Sequence, residues 1–250
     1  MPKVKDIIDI IESKAPLSLA LDFDSAGLNV GDPLDEVKGI LLAQNPTYAT
    51  LDECVKVGAN LLITHHPCVF GEEPDAYMQS LVSRAQKLRL NLYSCHTNLD
   101  CAIGGLNDYV ADMLNMQDVS IIDGCAMRGN IQPIELKKLA KFVAKTLGDN
   151  CVKYVGQDDK VISKVALCVG AGARDEELVE YAKANGVDCI IGGESKLSIA
   201  LMAKDYGVSI IDVGHYTSEI ACVDIFRSWL KEYEYMIKAS KADIDPYKSI

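Results

Sequence analysis

The chain has 250 residues, of which 49% are hydrophobic and 24% charged, a balance that excludes wholesale disorder. Its net charge of −11 argues against general nucleic-acid binding, which needs a cationic surface to neutralise phosphates. No apolar run approaches the roughly 18–20 residues of a membrane span, and the first residues lack the apolar core of a signal peptide. We therefore expect a cytoplasmic protein made of one large domain or two small ones.

Strand-like and helix-like segments alternate along the chain. The sequence predicts strands, in order, at residues 39–43, 59–64, 90–94, 164–169, 187–191 and 208–212. It predicts helices at 50–56, 78–88, about 105–115, 134–147, 175–184, 196–206 and 218–232. The stretch between residues 115 and 134 is less regular. Strands that alternate with helices at this spacing predict an α/β fold with mostly parallel pairing.

A faint internal repeat suggests two related halves. Residues 56–63 resemble residues 183–191, since each segment is the end of a helix, a glycine and a strand, with Gly58 and Gly186 128 residues apart. Duplication and an ordinary junction between a helix and a strand explain this equally well. If the chain is duplicated, the boundary lies in residues 122–129, the least periodic segment.

His65 and His66 directly follow the apolar run 59–64 and precede Pro67. Ligands of open α/β sheets gather beyond the carboxyl ends of the strands, which is where this pair falls. Neighbouring residues of an extended strand point to opposite faces, so the two histidines can serve one metal only if the strand has ended. Taken alone, the pair is better explained as two hydrogen-bonded histidines.

Two further strand ends carry the other histidines. His96 and Asp100 share one loop after residues 90–94, although Asp100 could equally be a turn residue or a helix cap. His215 and Glu219 are four residues apart at the start of a helix, a spacing that lets both side chains face the same way. Glu219 also fits a capping arrangement in the first turn of that helix.

The combined pattern is more informative than its parts, because all four histidines of the chain lie at these three strand ends. Nitrogen and oxygen ligands without cysteine suit divalent Zn, Fe, Mn, Co or Ni. Three imidazoles and two carboxylates are too many for one open catalytic metal and about right for two. The sequence therefore predicts a metal site.

With these motifs the chain resembles the Nif-three-like (YbgI-like) family of dinuclear metal proteins, whose members are often described as GTP cyclohydrolase I type 2. The resemblance covers essentially the whole chain and rests on residues 22–32, 63–67, 96–100, 193–196 and 214–219. It implies the Nif-three-like α/β fold of two related lobes. Residues 1–124 and 212–250 would form the first lobe, which carries most metal ligands, and residues 125–211 the second.

The resemblance also implies the site. Two divalent metal ions per chain would be held by His65, His66, Asp100, His215 and Glu219, with Glu219 touching both ions. His96 would line the same pocket as a catalytic proton-transfer residue, or as a residue that supports the ligands. The family further implies a homohexamer.

The chain departs from the family pattern at two places. Phe23 and Ser25 stand where tryptophan and asparagine are commoner, and Gln44-Asn45-Pro46 stands where an aspartate is usual. These changes leave the implied metal ligands intact, but they bear on the shape of the pocket and hence on the substrate.

The predicted function is that of a dinuclear metal-dependent hydrolase that opens a ring with metal-activated water. Its partner would be a small-molecule substrate, GTP or another nucleotide. Alternatives are a phosphoester hydrolase, and a non-catalytic protein for metal binding or delivery or a hexameric scaffold. A metal ion with an open coordination position, together with measurable turnover, would distinguish the two enzymes from the non-catalytic proteins. Gly170-Ala171-Gly172-Ala173 is a weaker candidate for phosphate binding, better explained as an ordinary turn between strand and helix.

Overall fold

The computed structural model describes residues 1–71, 74–148 and 151–248, and it confirms the predicted α/β class. The chain divides into two compact units. The first comprises Met1–Gly105 and Ile220–Pro246, and the second comprises Leu106–Glu219 and the residues from Tyr247 onward. The sequence analysis places the divisions at residues 124 and 212 instead.

The helices and strands are labelled in chain order. The strands are β1 (Gly27–Val30), β2 (Ile40–Ala43), β3 (Leu61–Thr64), β4 (Asn91–Ser94), β5 (Gln117–Asp123), β6 (Ala126–Glu135), β7 (Lys153–Val155), β8 (Val161–Cys168), β9 (Cys189–Gly192), β10 (Ser209–Asp212) and β11 (Ile237–Ala239). The α-helices are α1 (Val4–Glu12), α2 (Tyr48–Lys56), α3 (Ala76–Lys87), α4 (Thr97–Cys101), α5 (Leu106–Met113), α6 (Leu136–Leu147), α7 (Glu176–Asn185), α8 (Leu197–Tyr206), α9 (His215–Glu219) and α10 (Cys222–Trp229).

The first unit is built on a sheet with the strand order β1-β4-β3-β2-β11. Strand β1 is antiparallel to β4, and the other neighbours pair in parallel. Every residue of β2, β3 and β4 is buried, which accounts for the apolar runs of the sequence. Because these three strands are parallel, their carboxyl ends meet at one edge of the sheet.

The second unit is built on a sheet with the order β5-β6-β8-β9-β10-β7. Its centre, β8-β9-β10, is parallel, whereas β5, β6 and β7 pair antiparallel. The less regular stretch of the sequence is therefore a hairpin of β5 and β6, which turns at Gly124 with φ +52°. Nearly all of β5 is exposed, and its polar–apolar alternation covers only residues 118–121 before Ile122 interrupts it, so the pattern that predicts a strand is short.

One predicted helix is wrong in extent. Residues 218–232 form the end of α9, a turn at Ile220–Ala221, the separate helix α10, and the start of a 3₁₀ helix over Lys231–Met236. A hydrogen bond between residues three apart, from the Val223 N–H to the Ile220 carbonyl (3.2 Å), closes the turn that leads into α10. None of the helices among the described residues has the length and apolar character needed to cross a membrane.

The two segments of the internal repeat form the same kind of junction, in which a helix is followed by a glycine and a strand. Gly58 follows α2 and precedes β3 with φ +79°, and Gly186 follows α7 and precedes β9 with φ +65°. Both glycines adopt the left-handed conformation that commonly ends a helix and that favours glycine in any such junction. The resemblance between the two segments is thus explained locally, and duplication is not needed to account for it.

Candidate metal centre

The histidine pair lies just beyond the end of a strand. Strand β3 ends at Thr64, whose hydroxyl donates to the His66 carbonyl at 2.7 Å, and the His66 N–H donates to the Gln44 carbonyl at 2.9 Å. The chain has left the extended conformation here, and the rings of His65 and His66 have centroids 4.9 Å apart. The condition for both histidines to serve one site is therefore met.

His96 joins this pair from the end of β4, where it precedes α4. Its ring centroid lies 5.2 Å from that of His65 and 5.6 Å from that of His66. One ligand atom from each of the three residues lies within 4.8 Å of the others, a spacing that could hold a metal ion. We call His65, His66 and His96 the histidine cluster.

Two members of the histidine cluster are oriented through Nδ1. His65 Nδ1 lies 3.0 Å from the Cys95 carbonyl oxygen, and His96 Nδ1 lies 2.8 Å from Asp24 Oδ1. Carbonyl and carboxylate oxygens accept hydrogen bonds, so Nδ1 carries the hydrogen and Nε2 carries the lone pair of the neutral ring. This arrangement is typical of histidines that bind metals through Nε2.

His66 is oriented through a relay of two side chains. Its Nδ1 lies 2.7 Å from Asn45 Oδ1, while Asn45 Nδ2 donates to Asp243 Oδ1 at 3.1 Å. The carboxylate can only accept, which fixes the direction of the Asn45 amide and makes His66 Nδ1 the donor. Asp243 Oδ2 also accepts from the Gln44 and Asn45 backbone N–H groups. We call Asp243, Asn45 and His66 the carboxylate–amide relay.

Asp24 is a buried carboxylate that orients the start of α4 as well as His96. Its Oδ2 accepts hydrogen bonds from the Thr97 backbone N–H, at 2.9 Å, and from the Thr97 hydroxyl. Burial raises the pKa of Asp24, but hydrogen bonds from His96 and Thr97 and the charge of His96 outweigh it and lower the pKa to about 2. Asp24 is thus ionised at neutral pH.

Asp100 adds a carboxylate beside the histidine cluster. It lies in α4, where its N–H donates to the His96 carbonyl at 3.2 Å. Asp100 is buried, and its Oδ1 is 3.7 Å from His65 Nε2. The placement fits a metal ligand, because the buried carboxylate lies close to the His65 imidazole nitrogen that faces away from Cys95.

Two exposed phenylalanines lie next to the histidine cluster, one in contact with His96 and the other in contact with the first. Phe70 makes an edge-on ring contact with His96 at 5.9 Å, and Phe23 makes a similar contact with Phe70 at 5.9 Å. Phe23 is 58% exposed and Phe70 40%, although apolar rings of this size usually bury most of their surface. We call Phe23 and Phe70 the phenylalanine pair.

In the second unit, His215 and Glu219 form the two ends of α9. Glu219 is buried, and its Oε2 lies 3.1 Å from His215 Nε2, so the four-residue spacing brings the two groups together. On the other side of the ring, His215 Nδ1 is 3.6 Å from Glu194 Oε1, which accepts from Arg174 Nη1 at 2.9 Å.

Gly170 provides the space for this pair. A Cβ atom at Gly170, which has φ +59°, would lie 1.9 Å from Glu219 Oε1 and 3.2 Å from His215 Nε2. The Gly170 N–H donates to Ser218 Oγ at 2.9 Å, which ties the turn to α9. The glycine-containing turn is thus a 3₁₀ segment, Gly170–Arg174, that packs against the carboxylate.

Within the first unit, the structure brings the histidine cluster together and places Asp100 beside His65; within the second, it pairs His215 with Glu219. Imidazole nitrogens with fixed tautomers and buried carboxylates fit a divalent metal ion of the first transition row. The sequence analysis missed the groups that orient the histidines: Asp24, Asn45, Cys95 and Asp243. Asp24 belongs to the motif at residues 22–32, but its partner His96 is 72 residues away.

The chain is similar to known proteins over nearly its whole length. The model of the family Duf34/NIF3 (NGG1p interacting factor 3) matches residues 2–246. Two proteins named GTP cyclohydrolase 1 type 2 homolog are similar: that of Clostridium perfringens is 35% identical over 268 residues, covering 99% of this chain and 100% of its own. That of Clostridium acetobutylicum is 33% identical over 266 residues, covering 98% of each chain.

Among solved structures, the crystal structure of a Bacillus cereus protein related to NIF3 superposes with a TM-score of 0.90 at 20% identity, over 100% of this chain and 99% of that one. At this identity the likeness concerns the fold. Because the family model spans nearly every residue and the sequence relatives match end to end, the chain belongs to the Duf34/NIF3 family.

Proposed function

We propose that this protein is a dinuclear metal-dependent hydrolase that opens a ring in a small-molecule substrate. The relatives named GTP cyclohydrolase 1 type 2 homolog support the cyclohydrolase part of this proposal. The observation that carries the proposal is the histidine cluster. Three imidazoles gather with their Nδ1 atoms bonded to oxygen acceptors, so that their Nε2 lone pairs are available to a common site. A purely structural role would not require all three rings to share this tautomer.

Under this proposal, two divalent ions per chain are held by His65, His66, Asp100, His215 and Glu219, with Glu219 as the shared ligand. Bound ions of this kind lower the pKa of a water molecule and stabilise developing oxyanion charge. The carboxylates of Asp100 and Glu219 are both buried. Because a buried carboxylate charge is costly unless a cation or hydrogen bonds compensate it, their burial supports a role in binding cations.

His96 is proposed to transfer the proton. Its Nδ1 is bonded to ionised Asp24, so the proton is held or released at Nε2, and Asp24 stabilises the imidazolium when it forms. The same geometry also permits His96 to act as a third imidazole ligand. The variant His96→Ala separates the two roles: full metal content with lost turnover supports proton transfer, whereas lost metal supports ligation.

The phenylalanine pair supports a substrate with a planar ring. Its exposed apolar faces continue from His96, and aromatic rings bind planar heterocycles by stacking or edge contacts. A nucleobase has this shape, which agrees with GTP or another nucleotide as the proposed substrate. Since the net charge of −11 does not attract a triphosphate, local cations would have to do so.

The test combines metal analysis with a substrate panel. Purified protein is expected to carry close to two divalent ions per chain and to release formate, without phosphate, from GTP. Release of phosphate instead would indicate a phosphoester hydrolase. Two bound ions without turnover of GTP, other nucleotides or cyclic amides would overturn the hydrolase and favour a metal-binding or metal-delivery protein. Protein stripped of metal by a chelator is the control.

We also propose a homohexamer in the cytoplasm, on the basis of the family resemblance. Light scattering of the purified full chain should give about six times the mass of one chain. A monomer or dimer over a wide concentration range would overturn the hexamer. Fractionation of cells should recover the protein in the cytoplasmic fraction.

A further inference from the structure

A cavity of about 910 Å³ lies in the first unit beside the edge strand β11. One wall is a face of α2, which presents Asp52, Glu53 and Lys56 at helical spacing, and the opposite wall is β11 with the residues after it. The volume is typical of a site for a small molecule. Its lining shares no residue with the histidine cluster or its partners.

The cavity is lined by four cationic side chains: Lys56, Arg227, Lys238 and Lys241. This concentration is unexpected in a chain that carries only 25 lysines and arginines against 36 acidic residues. Like charges in one concave surface repel each other, and this repulsion is relieved when an anion binds between them.

The two acidic residues of the lining are already engaged by other groups. Asp52 accepts two hydrogen bonds of 2.7 Å and one of 3.0 Å from Arg84, which does not line the cavity. Glu53 accepts hydrogen bonds from the Ser240 hydroxyl and from the backbone N–H groups of Lys241 and Ala242. Both carboxylates therefore accept hydrogen bonds from donors other than the cavity's ammonium and guanidinium groups. Burial raises the pKa of Glu53, but these hydrogen bonds and the charge of Lys241 together lower it.

The cations, in contrast, retain capacity for a ligand. Within residues 1–71, 74–148 and 151–248, the ammonium groups of Lys56 and Lys241 form no ion pair within 4.0 Å. Lys238 Nζ donates to the Val57 carbonyl at 3.2 Å, its one hydrogen bond to the described residues. Arg227 Nε lies 3.5 Å from Glu234 Oε1, and its terminal nitrogens have no hydrogen-bond partner in this part of the chain.

The edge of the sheet adds a backbone donor. The Ser240 N–H donates to the Leu42 carbonyl at 2.8 Å, so alternate residues of this segment face β2. By this alternation, the N–H of Ala239 points away from β2 toward the open side of β11. Backbone N–H groups together with lysine and arginine are the donors that bind phosphate oxygens.

We propose that this cavity binds a small phosphorylated anion, such as a nucleotide or a diphosphate, at a site separate from the metal centre. An acidic peptide that extends the sheet is the competing occupant. The three residues of β11 offer a peptide few backbone hydrogen bonds, whereas four cations around a cavity match the compact charge of phosphate groups.

The test is calorimetric titration of the full-length protein with pyrophosphate, before and after dialysis against a chelator. We expect one pyrophosphate per chain in both samples, with affinity that falls as NaCl is raised. AMP and inorganic phosphate form two further arms: tighter binding of AMP identifies a nucleotide, and equal binding identifies the phosphate group alone as the ligand.

The variant Lys56→Gln/Lys241→Gln is expected to weaken pyrophosphate binding at least tenfold and to keep its melting temperature and metal content. The matched control, Lys87→Gln/Lys204→Gln, removes the same charge from exposed positions on α3 and α8 and should bind within twofold of the original protein. Equal losses in both variants, binding that disappears with the metal, or binding of hexaglutamate but not pyrophosphate would each overturn the proposal.

Discussion

The side-chain amide of Asn45 donates to the carboxylate of Asp243 at 3.1 Å, across 198 positions of sequence. The segment Gln44-Asn45-Pro46 carries no carboxylate of its own. The carboxylate comes from Asp243 after β11 and acts on His66 through the Asn45 amide. An acidic side chain therefore supports the histidine through one intervening amide.

The first prediction concerns this carboxylate–amide relay. Asp243→Asn replaces one carboxylate oxygen with an NH₂ group, which is a hydrogen-bond donor. This donor would face either the Asn45 side-chain NH₂ or the backbone N–H groups that Asp243 now binds. The Asn45 amide would then lose its fixed direction, and His66 should lose its fixed orientation. Groups that orient metal-binding histidines typically contribute 10–100-fold in affinity. We expect metal affinity, measured by competition with a chromophoric chelator, to fall about tenfold or more.

A swap provides the control. In Asn45→Asp/Asp243→Asn the carboxylate accepts from His66 and the new amide donates to that carboxylate, so metal affinity should recover. Asp205→Asn, on the exposed face of α8, should leave affinity unchanged. Unchanged affinity in Asp243→Asn, in a folded protein, would show that the relay does not orient His66.

The second prediction concerns the space at Gly170. Gly170→Ala should displace the Glu219 carboxylate, because the new Cβ would lie 1.9 Å from Glu219 Oε1. Gly186→Ala is a matched control, with φ +65° against +59° and no atom within 4 Å of the new Cβ. Both variants should lose about 1–2 kcal/mol of unfolding free energy through left-handed backbone strain. Only Gly170→Ala should also lose metal, which elemental analysis measures.

The third prediction separates the ligands by stoichiometry. Glu219→Ala should lose most of both ions, because it removes the proposed shared ligand, whereas His65→Ala or His66→Ala should mainly weaken one. Metal per chain is counted by elemental analysis after gel filtration. Glu180→Gln, an exposed carboxylate of α7, should keep the full content. Full occupancy in Glu219→Ala would refute the shared role.

The fourth prediction concerns acid stability. Asp24 has a folded pKa of about 2, against an ordinary value of 3.8, so its ionised form stabilises the fold at pH above about 4. This contribution is lost as the pH falls through the folded pKa. By linkage it amounts to about 2 kcal/mol. Denaturation of metal-free protein should show Asp24→Asn less stable at pH 7, with the difference shrinking toward pH 2.

If the difference between Asp24→Asn and the original protein were the same at pH 7 and pH 3, the carboxylate charge would not be what stabilises the start of α4. The variant Asp32→Asn controls for the general loss of one negative charge, because Asp32 is an exposed carboxylate at the other end of the motif at residues 22–32.

The sequence predicted the strands whose residues are all buried, because burial on both faces leaves an unbroken apolar run, as in β2, β3 and β9. It did not predict β1, β5, β6, β7 or β11. Strand β5 is exposed, and β11 is a three-residue edge strand whose pairing with β2 depends on residues almost 200 positions away. Short strands of this kind are fixed by tertiary contacts rather than by local pattern.

For the candidate site, the sequence identified the groups with distinctive chemistry, since histidine is rare in this chain. It could not identify the residues that orient them. Asp24 and Asp243 are two among 36 acidic residues, and only the folded chain shows which of them meet a histidine or its amide partner. His65 is oriented by the backbone carbonyl of Cys95, a group that every residue has, so the sequence cannot indicate it.

The discontinuity of the first unit has a consequence for biosynthesis. Its sheet contains β11, which pairs with β2, and its histidine cluster depends on Asp243, yet both follow Leu106–Glu219 of the second unit in the chain. A ribosome therefore translates Leu106–Glu219 before the first unit can acquire its outermost strand. In the nascent polypeptide, His66 is therefore made well before Asp243 and gains this support only after Leu106–Glu219 have been translated.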